Sequence, residues 1–96
     1  MTRAQVLARL QEHTTELRGM DVASLAVFGS VARDEAGPDS DVDLLVEFAR
    51  PVGMFRLLAL KEYLEALLER PVDLATRSAL KRQFRDAILR EAIYAA

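Results

Sequence analysis

Three short segments hold most of the chemistry available to this chain: Gly29-Ser30, Asp41-Val42-Asp43 and Val72-Asp73-Leu74. Ten residues, 31 to 40, separate the Gly-Ser pair from Asp41. On an extended strand, residues two apart point the same way with Cα atoms roughly 6.5 to 7 Å apart, so the carboxylates of Asp41 and Asp43 can meet on one divalent ion or ion pair. Asp73 is a lone acid in an otherwise apolar stretch, and it joins the other two if its strand is their neighbour. Three crowded carboxylates repel, and one takes up a proton unless a cation lies between them, so the cluster argues for a bound metal. With oxygen donors the metal is hard, Mg2+ or Mn2+, and open positions on such an ion suit a nucleotide's phosphates.

Gly29-Ser30 supplies the other half of such a site. Glycine admits a close approach of backbone to phosphate, and the following N–H groups and the Ser30 hydroxyl can donate to its oxygens. Arg33, one turn on, either neutralises a leaving pyrophosphate or faces solvent paired with Asp34 or Glu35. His13, the only histidine, stands beside Glu12 and apart from every motif, so a Ser-His-Asp triad has no support. Neither a P-loop nor a dinucleotide fingerprint is present.

The elements that must carry these residues follow from periodicity. Thr2-Arg3-Ala4-Gln5 has the spacing of a capping box, and Val6, Leu7, Leu10, Thr14 and Leu17 share one face of a first helix that Gly19 closes. Leu25 to Phe28 reads as a strand buried on both faces, ending at Gly29. Gly37-Pro38 breaks the polar segment 30–40, in which Val31 to Glu35 has room for one helical turn. Asp41 to Phe48 alternates as a second strand. Leucines 57, 58, 60, 64, 67 and 68 mark a helix over about 54 to 69, stopped by Pro71; the stripe reads as core, broad enough for one edge to meet a partner. Val72 to Ala75 forms a brief third strand. Ser78 is the expected cap of a last helix whose stripe is Ala79, Leu80, Phe84, Ala87, Ile88 and Ala92. The expected fold class is α+β, one domain over residues 1–96, with a small mixed sheet of about three strands and helices packed on it.

Composition narrows the setting. The 96 residues are 51% hydrophobic and 29% charged, which fits a packed core and a solvated surface and excludes disorder. Absence of cysteine removes disulfides, thiolate metal sites and a cysteine nucleophile, and fits a reducing compartment. No apolar run is long enough to span a bilayer, and residues 1–19 lack a signal-peptide core, so the expected location is cytoplasmic. A net charge of −2 gives no general attraction to nucleic acid. Charge is uneven, however: residues 33–48 are strongly acidic, while Arg77, Lys81, Arg82, Arg85 and Arg90 make the C-terminal end basic. The acidic block fits metal binding; the basic end is a solvated face or a seat for nucleotide or an acidic partner.

Phe28-Gly29-Ser30, Asp41-Val42-Asp43 and Val72-Asp73-Leu74 together resemble the signature of the polymerase-beta-like nucleotidyltransferases. The similarity is greatest to the MNT-type minimal nucleotidyltransferases, through Gly29-Ser30-Val31-Ala32-Arg33 and Ser40-Asp41-Val42-Asp43-Leu44-Leu45-Val46. That resemblance implies that Asp41 and Asp43 bind magnesium, with Asp73 beside them, that Asp73 activates an acceptor hydroxyl, and that Gly29 and Ser30 hold the triphosphate. It also implies an antitoxin whose partner is a HEPN-family toxin, with AMP passing from ATP to a toxin tyrosine. Two other readings stand beside it: transfer to a small alcohol in a pocket completed by another subunit, and a binding module that neutralises its partner by covering it.

Overall fold

The computed structural model describes residues 1–37 and 39–95. Its elements run α1 (Arg3–Gln11), α2 (Thr14–Gly19), β1 (Val22–Phe28), α3 (Gly29–Ala32), β2 (Val42–Phe48), α4 (Met54–Leu68), β3 (Val72–Thr76), a 3-10 turn (Arg77–Ala79), α5 (Arg82–Glu91) and β4 (Ile93–Tyr94). The fold is α+β, as expected, but the sheet has four strands in the order β3-β2-β1-β4. The additional strand is two residues long, too short to carry an alternation, and pairs Tyr94 with Ala26 and Ile93 with Val27. β1 runs antiparallel to β2, whereas β2 and β3 are parallel, with α4 as their crossover.

The Thr2–Gln5 capping box forms at the start of α1, satisfying two donors that the helix end would otherwise strand. The expected single first helix is in fact two. The chain turns at Glu12-His13, the Thr14 hydroxyl donates to the Gln11 carbonyl at 2.9 Å, and the His13 ring bonds the Arg9 carbonyl at 2.9 Å. A β-branched hydroxyl that bonds back to the previous turn competes with helix continuation, and the apolar stripe survives the break because Val6, Leu10 and Leu17 all stay buried.

The main cluster of the core lies on one face of the sheet, and the cross-strand pair Ala26 and Leu45 is buried on the other. Leu25 and Val27 of β1 join Val42, Leu44 and Val46 of β2, Val72 of β3, and Leu60, Leu64 and Leu68 along one stripe of α4. A bulge between Val22 and Ser24 shifts the register, so that Val22 shares this face with Leu25 despite their odd spacing. The leucine helix is thus largely core, while Met54, Phe55 and Leu58 leave its first turns exposed on one edge. Its end is set by Glu69 in the left-handed region at φ 55, ahead of Pro71.

Three expectations for the remaining segments change. The turn after β1 is Gly29–Ala32 rather than 31–35, because the Arg33 N–H bonds back to the Gly29 carbonyl. Ser78 does not cap α5; it lies in the 3-10 turn with its hydroxyl 3.3 Å from that of Thr76, and α5 begins after Lys81. The stripe of α5 is not buried: Phe84 is 53% exposed, and no α5 side chain lies fully inside. Of the Gly37-Pro38 break, Pro38 lies outside the described residues. No helix among the described residues is long and apolar enough to cross a membrane.

Candidate active site

β1 delivers Gly29 directly beside Asp43, since Phe28 is the cross-strand partner of Asp43. Gly29 has φ +71, which side-chain-bearing residues rarely adopt. A Cβ built there would fall on the Asp43 carboxylate, so the glycine serves two needs at once: the left-handed turn and the close approach of backbone to an acid.

The carboxylates come from adjacent strands. Asp73 is in register with Asp43 on the parallel pair β2 and β3, and Asp41 stands one residue before β2. Asp43 is half-buried; Asp41 and Asp73 are exposed. The Asp43 carboxyl is held above its ordinary value, first by burial and then by Asp73 and Asp41, with Arg33 opposing. The three acids therefore sense one another. Among the described residues, however, no set of three acidic or imidazole groups is drawn together as a ready-made metal cage. The expected convergence of all three is only partial, because Asp41 precedes the strand pairing that aligns Asp43 with Asp73. Their chemistry still suits a hard divalent ion: the donors are all carboxylate oxygens, and mutual repulsion raises the proton affinity of the central one.

Arg33 is paired with Glu35, one of the two acids expected for it: its Nε donates to that carboxylate at 3.1 Å. Asp34 instead accepts from the Arg3 backbone N–H at 3.3 Å. The second partner of Arg33 is Glu91, 3.1 Å from Nη1, and both carboxylates raise the guanidinium's proton affinity. Glu91 also accepts from the Gly29 backbone N–H at 2.9 Å. That N–H is thus engaged inside the protein, while the Ser30 hydroxyl makes no hydrogen bond among the described residues.

Residues that no local motif signals hold this loop in place. Arg70 Nη2 donates to the Ser40 carbonyl at 3.0 Å, fixing the chain just ahead of Asp41. Glu65 of α4 accepts from the Val72 N–H at 2.9 Å, and the Val42 N–H donates to the Pro71 carbonyl at 2.9 Å, so β3 starts level with β2. Arg3 donates to the Ala32 carbonyl at 3.0 Å at the end of α3. Glu91 and Arg70 reach the site only through the fold, and the sole trace of either in the sequence is its charge. In the basic C-terminal end, Arg77 pairs with Glu47. A groove of about 790 Å³ lies at the far end of β2, lined by residues 46–54 and 76–78 among others, and Asp41, Asp43 and Asp73 are not among its lining residues.

A Gly-Ser turn pressed against paired acids on a small mixed sheet defines a nucleotidyl-transfer fold, and the comparisons agree. The chain belongs to the nucleotidyltransferase-domain family, whose model matches residues 7–95. It is a nucleotidyltransferase. It is 42% identical over 95 residues to the protein adenylyltransferase MntA of Thermococcus cleftensis, covering 98% of this chain and 96% of that protein. A solved structure assigned to the minimal nucleotidyltransferases is 38% identical, with TM-score 0.83, over 97% of this chain and 95% of that one. The fold also matches, at 16% identity and TM-score 0.68, a chain from the tri-AMPylated Shewanella oneidensis HEPN toxin in complex with MNT antitoxin, covering 95% of this chain and 71% of that one.

Proposed function

We propose that this chain is a protein adenylyltransferase acting as an antitoxin, which transfers AMP from ATP to a tyrosine hydroxyl of a HEPN-family toxin in the cytoplasm. The observation that carries the reading is the rung in which Asp43 and Asp73 lie side by side while the Gly29 backbone abuts Asp43. The protein acceptor is supported by the name of the Thermococcus relative, and the toxin by the Shewanella complex.

Asp41 and Asp43, with Asp73, are the residues that would hold Mg2+ or Mn2+, an ion that when bound would neutralise triphosphate charge and favour departure of pyrophosphate. Ser30 donates its hydroxyl to the phosphates, and Arg33 offsets charge on the leaving group. Asp73, exposed at the edge strand, accepts the phenolic proton as the tyrosine oxygen attacks the α-phosphorus. A new P–O bond forms there, the α–β bridging bond breaks, and pyrophosphate carries away the electron pair. With His13 bonded to Arg9 on the first helix, a carboxylate is the base within reach.

The test is to incubate the chain with Mg·ATP and a HEPN-family protein from the same genome and to weigh that protein intact. The reading expects one or more adenylyl increments on a tyrosine, lost with Asp43→Asn. Protection of cells by a chain that forms no adduct would instead mean simple occlusion of the toxin.

A further inference from the structure

Glu91 stands where a carboxylate is unwelcome. It is the last residue of α5, and the negative end of a helix dipole disfavours an acid there. Two compensations hold it: the Gly29 N–H, 62 residues away in sequence, and the Arg33 guanidinium, 58 residues away. Its side chain is 30% exposed against 66% for Glu35, the other carboxylate on Arg33, so the Glu91 contact is the better shielded of the two. Nε of Arg33 is spent on Glu35 and Nη1 on Glu91, which leaves Nη2 without a hydrogen bond among the described residues.

We propose that Glu91 is a positioning residue for the nucleotide: one carboxylate locks the Gly29 peptide and the Arg33 guanidinium into a single unit, presenting Nη2 of Arg33 and the Ser30 hydroxyl to the phosphates. The inference rests on the nucleotide reading of Gly29, Ser30 and Arg33, and it makes the C-terminal helix part of the site. A charge-assisted pair that also accepts a backbone N–H fixes direction as well as distance, and pre-organised donors bind an anion without first having to be ordered.

Calorimetric titration with Mg·AMP-PNP of the parent, Glu91→Ala and Glu91→Gln proteins tests this, together with the Gly29 amide resonance and thermal melting of each. The expected result is affinity on the order of tenfold weaker for Glu91→Ala, with a displaced Gly29 amide, and a partial rescue by Glu91→Gln, which retains an oxygen for the N–H but loses the charge. A lower melting temperature with unchanged affinity means a merely structural role and overturns the proposal. Tighter binding by Glu91→Ala also overturns it, since the carboxylate would then be competing with phosphate. If Glu91→Ala does not fold, Glu91→Gln decides: a few-fold loss supports the proposal and parental affinity refutes it. Failure of the parent itself to bind Mg·AMP-PNP would sink the underlying nucleotide reading, a result distinct from any behaviour of the variants.

Discussion

Asp43 and Asp73 occupy one rung of the sheet, in register on adjacent parallel strands, with Phe28 completing the rung from β1. Like charges directly opposite one another oppose strand pairing. The fold tolerates this arrangement because its hydrophobic face carries the stability: Val42, Leu44 and Val72, immediate neighbours of the two acids, are buried in the core.

Asp43→Asn is therefore expected to abolish transfer while leaving the metal-free protein more stable, by about 0.5 to 1 kcal/mol or a few degrees in Tm. Scanning calorimetry alongside an adenylylation assay checks both halves. Near-parental transfer by this variant would remove Asp43 from the site.

The same pair sets a pH dependence. Burial and the neighbouring acids hold the Asp43 carboxyl above 3.8, so as pH rises the unfolded chain loses this proton first and stability falls between that value and the raised native one. The stabilisation is complete below the unfolded value and is lost as pH climbs through the native value. The advantage of Asp43→Asn should accordingly be largest near neutrality and vanish toward pH 3.8. Melting curves of both proteins across this range provide the measurement, and a gap that widens in acid would contradict the assignment.

Asp73→Ala should leave Mg·ATP binding largely intact, since Asp41 and Asp43 remain, yet slow transfer by a factor on the order of 10² or more. Its exposed side chain contributes little to the core, so partner binding should survive. Single-turnover kinetics with saturating ATP separate the two effects, and a variant that loses ATP affinity but keeps its turnover would assign Asp73 to binding.

Gly29→Ala combines a φ of +71 with a Cβ placed on the Asp43 carboxylate. Destabilisation of about 1 to 3 kcal/mol is expected, with loss of transfer on the order of 10² from displacement of Asp43. Gly19→Ala is the control: nothing lies within 4 Å of its Cβ, and a gain of about 0.4 to 1 kcal/mol is expected from the stiffer unfolded chain. Urea denaturation compares the two, and equal tolerance at both positions would dissolve the argument from close approach.

The parts of this molecule legible in its sequence are those governed by local rules. The alternation from Asp41 to Phe48 reports a strand with one apolar face, and the leucines at 60, 64 and 68 report the buried stripe of α4. Gly29-Ser30 and Asp41-Val42-Asp43 lie close in sequence and mark exits and starts of strands, so their spacing survives folding. What escaped depends on distant partners or on competition between local bonds. The Thr14 hydroxyl bonds back to Gln11 at the helix break, β4 pairs with β1 and its following Ala95 N–H donates to the Leu25 carbonyl, and Glu91 reaches Gly29 across 62 residues of chain. The α5 stripe misled for the opposite reason: its periodicity is genuine, yet Phe84 stays 53% exposed and no residue of the helix is fully buried.

The bulge between Val22 and Ser24 has a consequence for how the chain tolerates insertions and deletions. A strand counts its residues in twos, and this one must place Val22 in the core and still hand Gly29 to Asp43 with the correct sense. The bulge absorbs the odd residue. Removing Ala23, the exposed residue without a partner on β2, would leave Val22, Ser24 and Leu25 in plain alternation, with Val22 still in the core and Phe28 and Gly29 on their present side of the sheet. The strand thus has one residue of slack, held at Ala23, while a single deletion in the regular stretch from Ser24 to Phe28 would turn either Val22 or Gly29 to the wrong face.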